Sequence, residues 1–431
     1  MPRRLAASAI ACLIACGQSS SSGSAPEAGS SSTGLPSTDS SSSSDGADES
    51  TTAVDTADTW DQSQCSEVIT GQPDWSSTVV TTVAVGGGQA IARGVDGDLF
   101  VVDGCLSRWE EDGLRQWLVS DPSWTCNSMV LDAQGHPIVA GHSLAAYGRV
   151  PLLHSYDAER ELKWKATFED SPLTDDVATD LAIDRWGELV LVGRRSTDEP
   201  GEAPDQSWVT KFDENGQALW SLSFDEGVSA PPKVAVDGDG GIVHAEQRRT
   251  DNGIEYVVLL GLDAQGKEVW SWDSLVDLGS PLRLLAMDAD PQGEVVLAGR
   301  DPTPPHQPDL IVLLGRGGNV RWSRSSIDIG WLETIATVAF DPCGSIVFGG
   351  GGDLGPRNWG QPWIAKVDRQ AELRWGHYVA VPLVSQFAQI QGVRVEPDGG
   401  VLATGTRVIA EQIIDEEPVP VLESWMGRVL P

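Results

Sequence analysis

Several residue patterns in this chain have the types and spacing that chemistry uses. Gly261 to Lys267 reads GLDAQGK, close to a loop that cradles phosphate in backbone N–H groups. Glu268, however, stands where a hydroxyl would bind magnesium, and the segment reads strand–turn–strand, with no helix following to offer its N-terminus. Gly141-His142-Ser143-Leu144-Ala145 has the letters of a nucleophile elbow. That motif needs a strand feeding a helix, and here it falls in a loop after a strand. Asp237-Gly238-Asp239 and Asp288-Ala289-Asp290 pair carboxylates as a calcium loop would, without the alternating oxygens and the later acid. Turns in which Asp binds its own backbone explain both pairs. The histidines at 136, 142, 154, 244, 306 and 377 have no metal-ligand spacing. The sequence therefore predicts no catalytic residue, no metal and no cofactor.

Binding chemistry is better represented. Arg194, Arg195, Arg248, Arg300 and Arg407 fall at one recurring place, just past the second strand of a repeat, and His142 holds the same place in another copy. Arginine presents a planar fork of donors suited to carboxylate or phosphate. These residues are candidates for an anionic ligand such as an acidic polysaccharide, with pairing to loop acids such as Asp198, Asp251 or Asp301 as the alternative. Trp124, Trp331 and Trp359 lie in variable loops outside the repeated Trp positions. There they could stack on a sugar, anchor a protein partner, or pack under their own loops.

The elements that would position these side chains come from one repeated pattern. Leu181 to Gly193 reads LAIDRWGELVLVG, and Trp208 to Trp220 reads WVTKFDENGQALW. Each half is an apolar run, a polar turn with Gly, and a second apolar run, which is a hairpin signature. The first hairpin recurs at 83–92, 130–141, 182–193, 235–245, 287–299, 339–350 and 395–405, and the second closes on Trp117, Trp164, Trp220, Trp270, Trp322 and Trp375. A period of about 50 residues with four strands is propeller spacing. The seventh copy stops at Leu430 before its closing Trp strand, and Asp74-Trp75-Ser76 matches the missing piece. The expected fold is all-β: a seven-bladed β-propeller of four-stranded antiparallel blades over 63–431, its ring closed by the N-terminal strand.

These repeats resemble the seven-bladed β-propeller (SBBP-type) repeats of bacterial surface and secreted proteins. Residues 208–220 and 363–375 carry that likeness most closely, although Ala371 replaces the turn Gly in the second. Leu262 to Trp270 (LDAQGKEVW) also looks like the tryptophan-docking repeat of quinoprotein dehydrogenases, which are typically eight-bladed. Most copies fit the first family better. Within propeller topology, Cys105 and Cys126 fall near one face, and Cys65 and Cys343 near the other. That predicts Cys105–Cys126 and Cys65–Cys343 disulfides, with free thiols as the alternative.

The N-terminus adds an address. Arg3 and Arg4 precede an apolar stretch from Leu5 to Ala15, too short for a stable membrane span. Leu13-Ile14-Ala15-Cys16 resembles the lipobox of bacterial lipoproteins, which implies a signal over 1–16 and lipidation at Cys16. Residues 17–62 are Ser, Gly, Thr, Ala, Pro and acids and read as a disordered tether. Such a tether spans about 35–40 Å. The net charge of −34 argues against nucleic acid, whose phosphates it would repel. The expectation is a monomeric lipoprotein, lipid-anchored in the cell envelope at the outer membrane. Its propeller would be a non-catalytic platform for a protein or an anionic envelope glycan. The alternative is an enzyme, a glycan lyase or hydrolase or a divergent quinoprotein-like oxidoreductase, with a single-copy site in the loops.

Overall fold

The Asp-x-x-Gly turns organise the observed architecture. At Asp132, Asp157, Asp184, Asp213, Asp237, Asp263, Asp290, Asp341 and Asp368 the carboxylate Oδ1 accepts the backbone N–H groups two and four residues on, at 2.7–3.0 Å. The Asp N–H in turn donates to the carbonyl four residues on, so the turn closes on itself. The fourth residue has positive φ and is Gly, as at Gly187 (φ 83) and Gly266 (φ 83). Arg160 and Ala371 occupy the same position at φ 77 and 65.

The computed structural model describes residues 75–76, 90–102, 106–110, 114–119, 123–145, 148–168, 175–196, 205–225, 227–302, 309–330, 334–351, 361–379, 388–414 and 417–429. The chain divides into two units, Met1–Thr59 and Trp60–Pro431, and every described residue lies in the second. The expected signal and tether, with Cys16, lie outside the described residues, as do Cys65, Cys105, Trp331 and Trp359.

A short strand, β1 (Trp75–Ser76), comes first. The first four-stranded sheet holds β2 (Ala90–Arg93), β3 (Leu99–Val102), β4 (Leu106–Trp109) and β5 (Arg115–Val119). The second holds β6 (Trp124–Leu131), β7 (Pro137–Ala145), β8 (Gly148–Tyr156) and β9 (Leu162–Thr167). The third holds β10 (Asp175–Ile183), β11 (Leu189–Ser196), β12 (Gln206–Phe212) and β13 (Ala218–Phe224). The fourth holds β14 (Lys233–Val236), β15 (Ile242–Arg249), β16 (Glu255–Leu262) and β17 (Glu268–Asp273), followed by a one-turn π-helix, Ser274–Leu278. The fifth holds β18 (Arg283–Ala289), β19 (Val295–Arg300), β20 (Asp309–Leu314) and β21 (Val320–Ser325). The remaining strands are β22 (Thr334–Phe340), β23 (Ile346–Gly351), β24 (Trp363–Val367), β25 (Leu373–Tyr378), β26 (Ala388–Val395), β27 (Val401–Ile414) and β28 (Glu417–Val429). These form one eight-stranded sheet with β1, in which a single pair, Gly351 with Gln389, joins β23 to β26. All pairings are antiparallel between chain neighbours, apart from that bridge and the pairing of β1 on β28.

The apolar runs are continuous because each sheet is covered on both faces. Leu189, Val190, Leu191 and Val192 of β11 are all fully buried. Leu189 and Leu191 pack with Ile138, Ala140 and Leu153 of the preceding sheet, and Val190 and Val192 with Ile242, Val258 and Leu260 of the following one. First strands stand beside first strands along the series β2, β6, β10, β14, β18, β22, β26, and β2 also adjoins β26. Ile91, Leu99, Val101 and Trp109 accordingly share a cluster with Leu402 and Met426. Trp75 pairs with Val429 in β28, one residue away from the register of Trp220 on Lys211 and Trp375 on Lys366, since Arg428, the counterpart of those lysines, pairs with Ser76.

The repeated Trp residues link one sheet to the next. Trp117 Nε1 donates to the Ala158 carbonyl at 3.1 Å, Trp220 to Ala264 at 3.1 Å, and Trp322 to Arg369 at 2.7 Å. Each acceptor is the second residue of an Asp-x-x-Gly turn in the following sheet. The indole also lies on the turn glycine: a Cβ at Gly216 would meet Trp164 at 2.7 Å, and one at Gly318 would meet Trp270 at 2.6 Å. Glycine is thus required there twice, for positive φ and for the ring.

Within sheets, a base on the third strand holds the first turn. Lys211, fully buried, pairs with Asp184 at 3.2 Å and Glu188 at 2.6 Å. Arg108 pairs with Asp98 at 2.7 Å, Lys366 with Asp341, and Arg428 with Glu396. Asp237 and Asp290 are turn residues as expected, but Asp288 is not. It lies within β18, one residue before its end, and its Oδ2 accepts the Phe340 N–H of β22 at 2.8 Å, a cross-sheet clasp invisible to local spacing.

A left-handed conformation costs a non-glycine residue about 1–2 kcal/mol. Ala371→Gly is therefore expected to stabilise the protein, by about 1 kcal/mol, read as a raised urea midpoint with unchanged slope.

Candidate functional site

The arginines gather at one end of the sheets, as the repeat alignment implies, but inside strands rather than beyond them. Arg194 and Arg195 belong to β11, Arg248 to β15, Arg300 closes β19, and Arg407 lies in β27. The strands overrun their predicted ends because the antiparallel partner continues: Arg195 still pairs with Gln206, and Arg248 with Tyr256. The GHSLA segment is likewise strand, within β7, so the elbow reading fails on backbone as well as context.

Each of the four arginines with a described side chain meets a carboxylate. Arg195 binds Asp176 at 2.8 Å, Arg194 lies 3.4 Å from Asp205, Arg248 binds Glu246 at 2.6 Å, and Arg300 binds Asp309 at 2.6 Å. Pairing with loop acids was the alternative to a ligand; these carboxylates sit on strands or at their edge. Asp309 also accepts the Ile335 N–H at 2.7 Å, so the Arg300 pair ties the fifth sheet to β22. Arg149, which sequence reasoning passed over, binds Asp175 Oδ1 through Nε at 2.7 Å and joins the second sheet to the third. The guanidinium and its hydrogen bonds hold the Asp175 carboxyl below its ordinary value. His142, beside Arg149, is pushed down to about 4, first by burial and then by the Arg149 charge.

The most buried polar group lies on β15. His244, Glu246 and Arg248 alternate along one face of the strand, and the first two have no exposure. His244 Nε2 lies 3.1 Å from Glu246 Oε1 and 3.2 Å from Ser207 Oγ of the third sheet, and Ser207 donates to Glu246. Phe224 stacks on the imidazole at 5.2 Å between centroids. Burial alone would raise the Glu246 carboxyl, but the His244 hydrogen bond and charge, Arg248 and Ser207 outweigh it and hold it at about 2. Serine and glutamate meet the same imidazole nitrogen, so the imidazole does not relay between them, and the cluster acts as a clasp between the third and fourth sheets. Its signal was readable as alternating His-x-Glu-x-Arg in a strand.

Trp124 opens β6 instead of lying in a loop. It is buried against Phe100, Met129 and Leu152, with His154 at 4.8 Å. Its packing as the first residue of a paired strand, opposite Ser143, explains the difference. Cys126 is buried in the same strand, and Cys343 sits in the turn after Asp341; each predicted disulfide has its other half outside the described residues.

The same end of the molecule carries an overgrown hairpin. β27 and β28 run 14 and 13 residues, against four to nine for the strands of the four-stranded sheets. β26 ends its pairing with Ala388 on Arg407, yet β27 and β28 continue from Val408 with Leu422 to Ile414 with Glu417. Beyond Arg407 the described ribbon is two strands wide.

No protein-family model matches the chain, and no curated protein matches it. Among solved structures it is similar to the Dos1 propeller, with 10% identity, TM-score 0.49, and coverage of 79% of this chain and 77% of that one. It is also similar to a protein of unknown function from Dyadobacter fermentans, with 10% identity, TM-score 0.48, and coverage of 84% and 100%. A luciferin-regenerating enzyme is a third, with 10% identity, TM-score 0.41, and coverage of 83% and 96%.

The Glu246 carboxyl, lowered on folding, contributes stability that is complete above about 4.5 and is lost as pH falls toward about 2. Glu246→Gln leaves Arg248 without its counter-charge and is expected to cost on the order of 3 kcal/mol at pH 7. Urea unfolding from pH 7 to pH 2 should show that cost shrinking through the window in which the wild-type carboxylate is protonated.

Proposed function

We propose that this chain is a non-catalytic binding platform of the cell envelope: a seven-bladed β-propeller closed by its N-terminal strand, tethered through lipid on Cys16, that holds a protein or an envelope glycan at the end where the arginines and the overgrown hairpin lie. The disulfides Cys105–Cys126 and Cys65–Cys343 belong to the same reading, since export permits them. The pairing of β1 on β28 and the packing of β2 against β26 support ring closure. The lipobox-like LIAC at 13–16 supports the tether.

One observation carries the platform. Elsewhere among the described residues a hairpin outruns its first strand by four pairs at most, as β15 and β16 do from Glu246 to Arg249. The β27–β28 ribbon goes on for six further pairs, and a two-stranded ribbon is marginal in water unless something packs on it. A repeat protein that keeps its other hairpins short and lengthens one has placed an added element on a rigid frame.

The experiment is in-cell photo-crosslinking on the full-length chain, with the probe at Gln412 in the ribbon and a matched probe at Gln265 in a turn at the other end. A discrete adduct at Gln412 that is absent at Gln265, and lost from the membrane fraction in a Cys16→Ala variant, is the expected result. Equal labelling at both positions would refute the platform, and an unchanged membrane fraction in Cys16→Ala would refute the tether.

A further inference from the structure

The groove between the third and fourth sheets, on their outer side, is built unlike the rest of the surface. It encloses about 760 Å³ between β13 and β17. Its apolar lining is Phe224, Val258, Leu260 and Val276, the last 78% exposed on the π-helix. Four carboxylates surround that lining: Asp225, Glu268, Asp273 and Asp277.

Elsewhere the turn and strand carboxylates of this acidic chain commonly meet a lysine or arginine. These four meet none among the described residues. Asp225 accepts the Gln206 side-chain amide at 2.7 Å. Asp273 caps the π-helix through Leu275 N–H at 2.7 Å, and Asp277 accepts Asp273 N–H at 2.8 Å. All these donors are neutral, so the negative charge stays uncancelled. The one base in the lining, Arg248, is already matched by buried Glu246. The groove is therefore anionic, with apolar side chains in its floor and its single arginine already matched.

The charge has a spacing. Glu268 begins β17 and Asp273 ends it; a bulge between them sets them opposite Leu262 and Val258, four residues and about 13 Å apart along the partner strand. Asp225 and Asp277 lie at the Asp273 end. We propose that this groove binds an extended basic peptide segment, with a lysine or arginine at each end, four residues apart and so on one face, and apolar residues between them. The end charges meet Glu268 at one end and Asp225, Asp273 and Asp277 at the other, while the apolar residues cover Phe224, Val258 and Val276. This site is separate from the ribbon and does not depend on the platform reading, the envelope address or the tether.

The test uses the full chain and a rhodamine-labelled peptide, GRSLVKSG, followed by fluorescence anisotropy at about 0.15 M salt. Saturable binding is expected, with GLVRKSSG, which has the same composition and adjacent bases, binding about tenfold more weakly. Asp225→Asn with Glu268→Gln keeps the acceptors and removes two charges, and should weaken binding about tenfold. Glu159→Gln with Glu214→Gln removes two exposed charges from turns elsewhere and should change it by less than about twofold. Unchanged thermal unfolding of both double variants confirms that they are folded. No saturable binding, equal affinity for the two peptides, or equal losses in the two double variants would overturn the proposal; the last would show attraction to the overall charge alone.

Discussion

The structure depends on one carboxylate accepting two backbone N–H groups. In each Asp-x-x-Gly turn the Asp Oδ1 fixes the turn from inside, which leaves the turn's second carbonyl pointing outward as a free acceptor. The indole of the preceding sheet uses that acceptor. A local interaction, decided within five residues, thereby creates the receptor for a contact between residues some 40 apart, such as Trp220 and Ala264. Because the same turn also presents its aspartate or a neighbouring acid to a third-strand base in several sheets, one short motif closes hairpins, staples strands and docks neighbours. This explains how a chain of net charge −34 packs at all: many of its acids hold backbone N–H groups or bases rather than repelling one another across the surface.

This economy decided what could be read from sequence. Everything local was legible: the turns, the hairpins, the four-strand period, and the buried double-sided strands such as LVLVG at 189–193. The pairing of the Trp75–Ser76 strand on β28 was legible too, because a missing strand at one end matched an extra one at the other, but its register, one residue away from that of Trp220 and Trp375, was not. Strand ends were not, since they depend on how far the partner runs, and that is how Trp124 and His142 moved from loops into β6 and β7. Asp288 was misread for the same reason. Its partner, Phe340, lies in the next sheet, and no spacing within one repeat reveals a clasp between two. The arginines were found, but their partners were sought in loops, whereas Asp176, Glu246 and Asp309 belong to strands.

The departures from the repeat cluster where the chain stops being periodic. Trp375 is the informative case. By its place it should dock on the turn between the third and fourth strands of the following group, as Trp322 docks on Arg369. That group takes its third strand, β28, from one end of the chain and pairs it with β1 from the other, so no covalent turn joins them. The Trp375 Nε1 is buried without a hydrogen-bond partner, and the ring stacks on His377 instead. An orphaned buried donor costs about 1–3 kcal/mol, so this junction lacks the indole bond that Trp117, Trp220 and Trp322 make. Arg93 to Glu396 and the Ile91–Met426 cluster are what tie β2 to that last group.

The overgrown ribbon grows from this same last group. Its β28 edge carries Pro418 and Pro420, two residues apart, and neither can donate to a ladder. Since both lie opposite β27 residues in a continuous pairing, Ile413 with Pro418 and Glu411 with Pro420, their nitrogens must face away from β27. That edge therefore offers an incoming strand two fewer donors, which is how natural sheets discourage edge-to-edge association. Backbone pairing along the β28 edge is thereby suppressed at these two positions, while the pairing with β27 continues undisturbed.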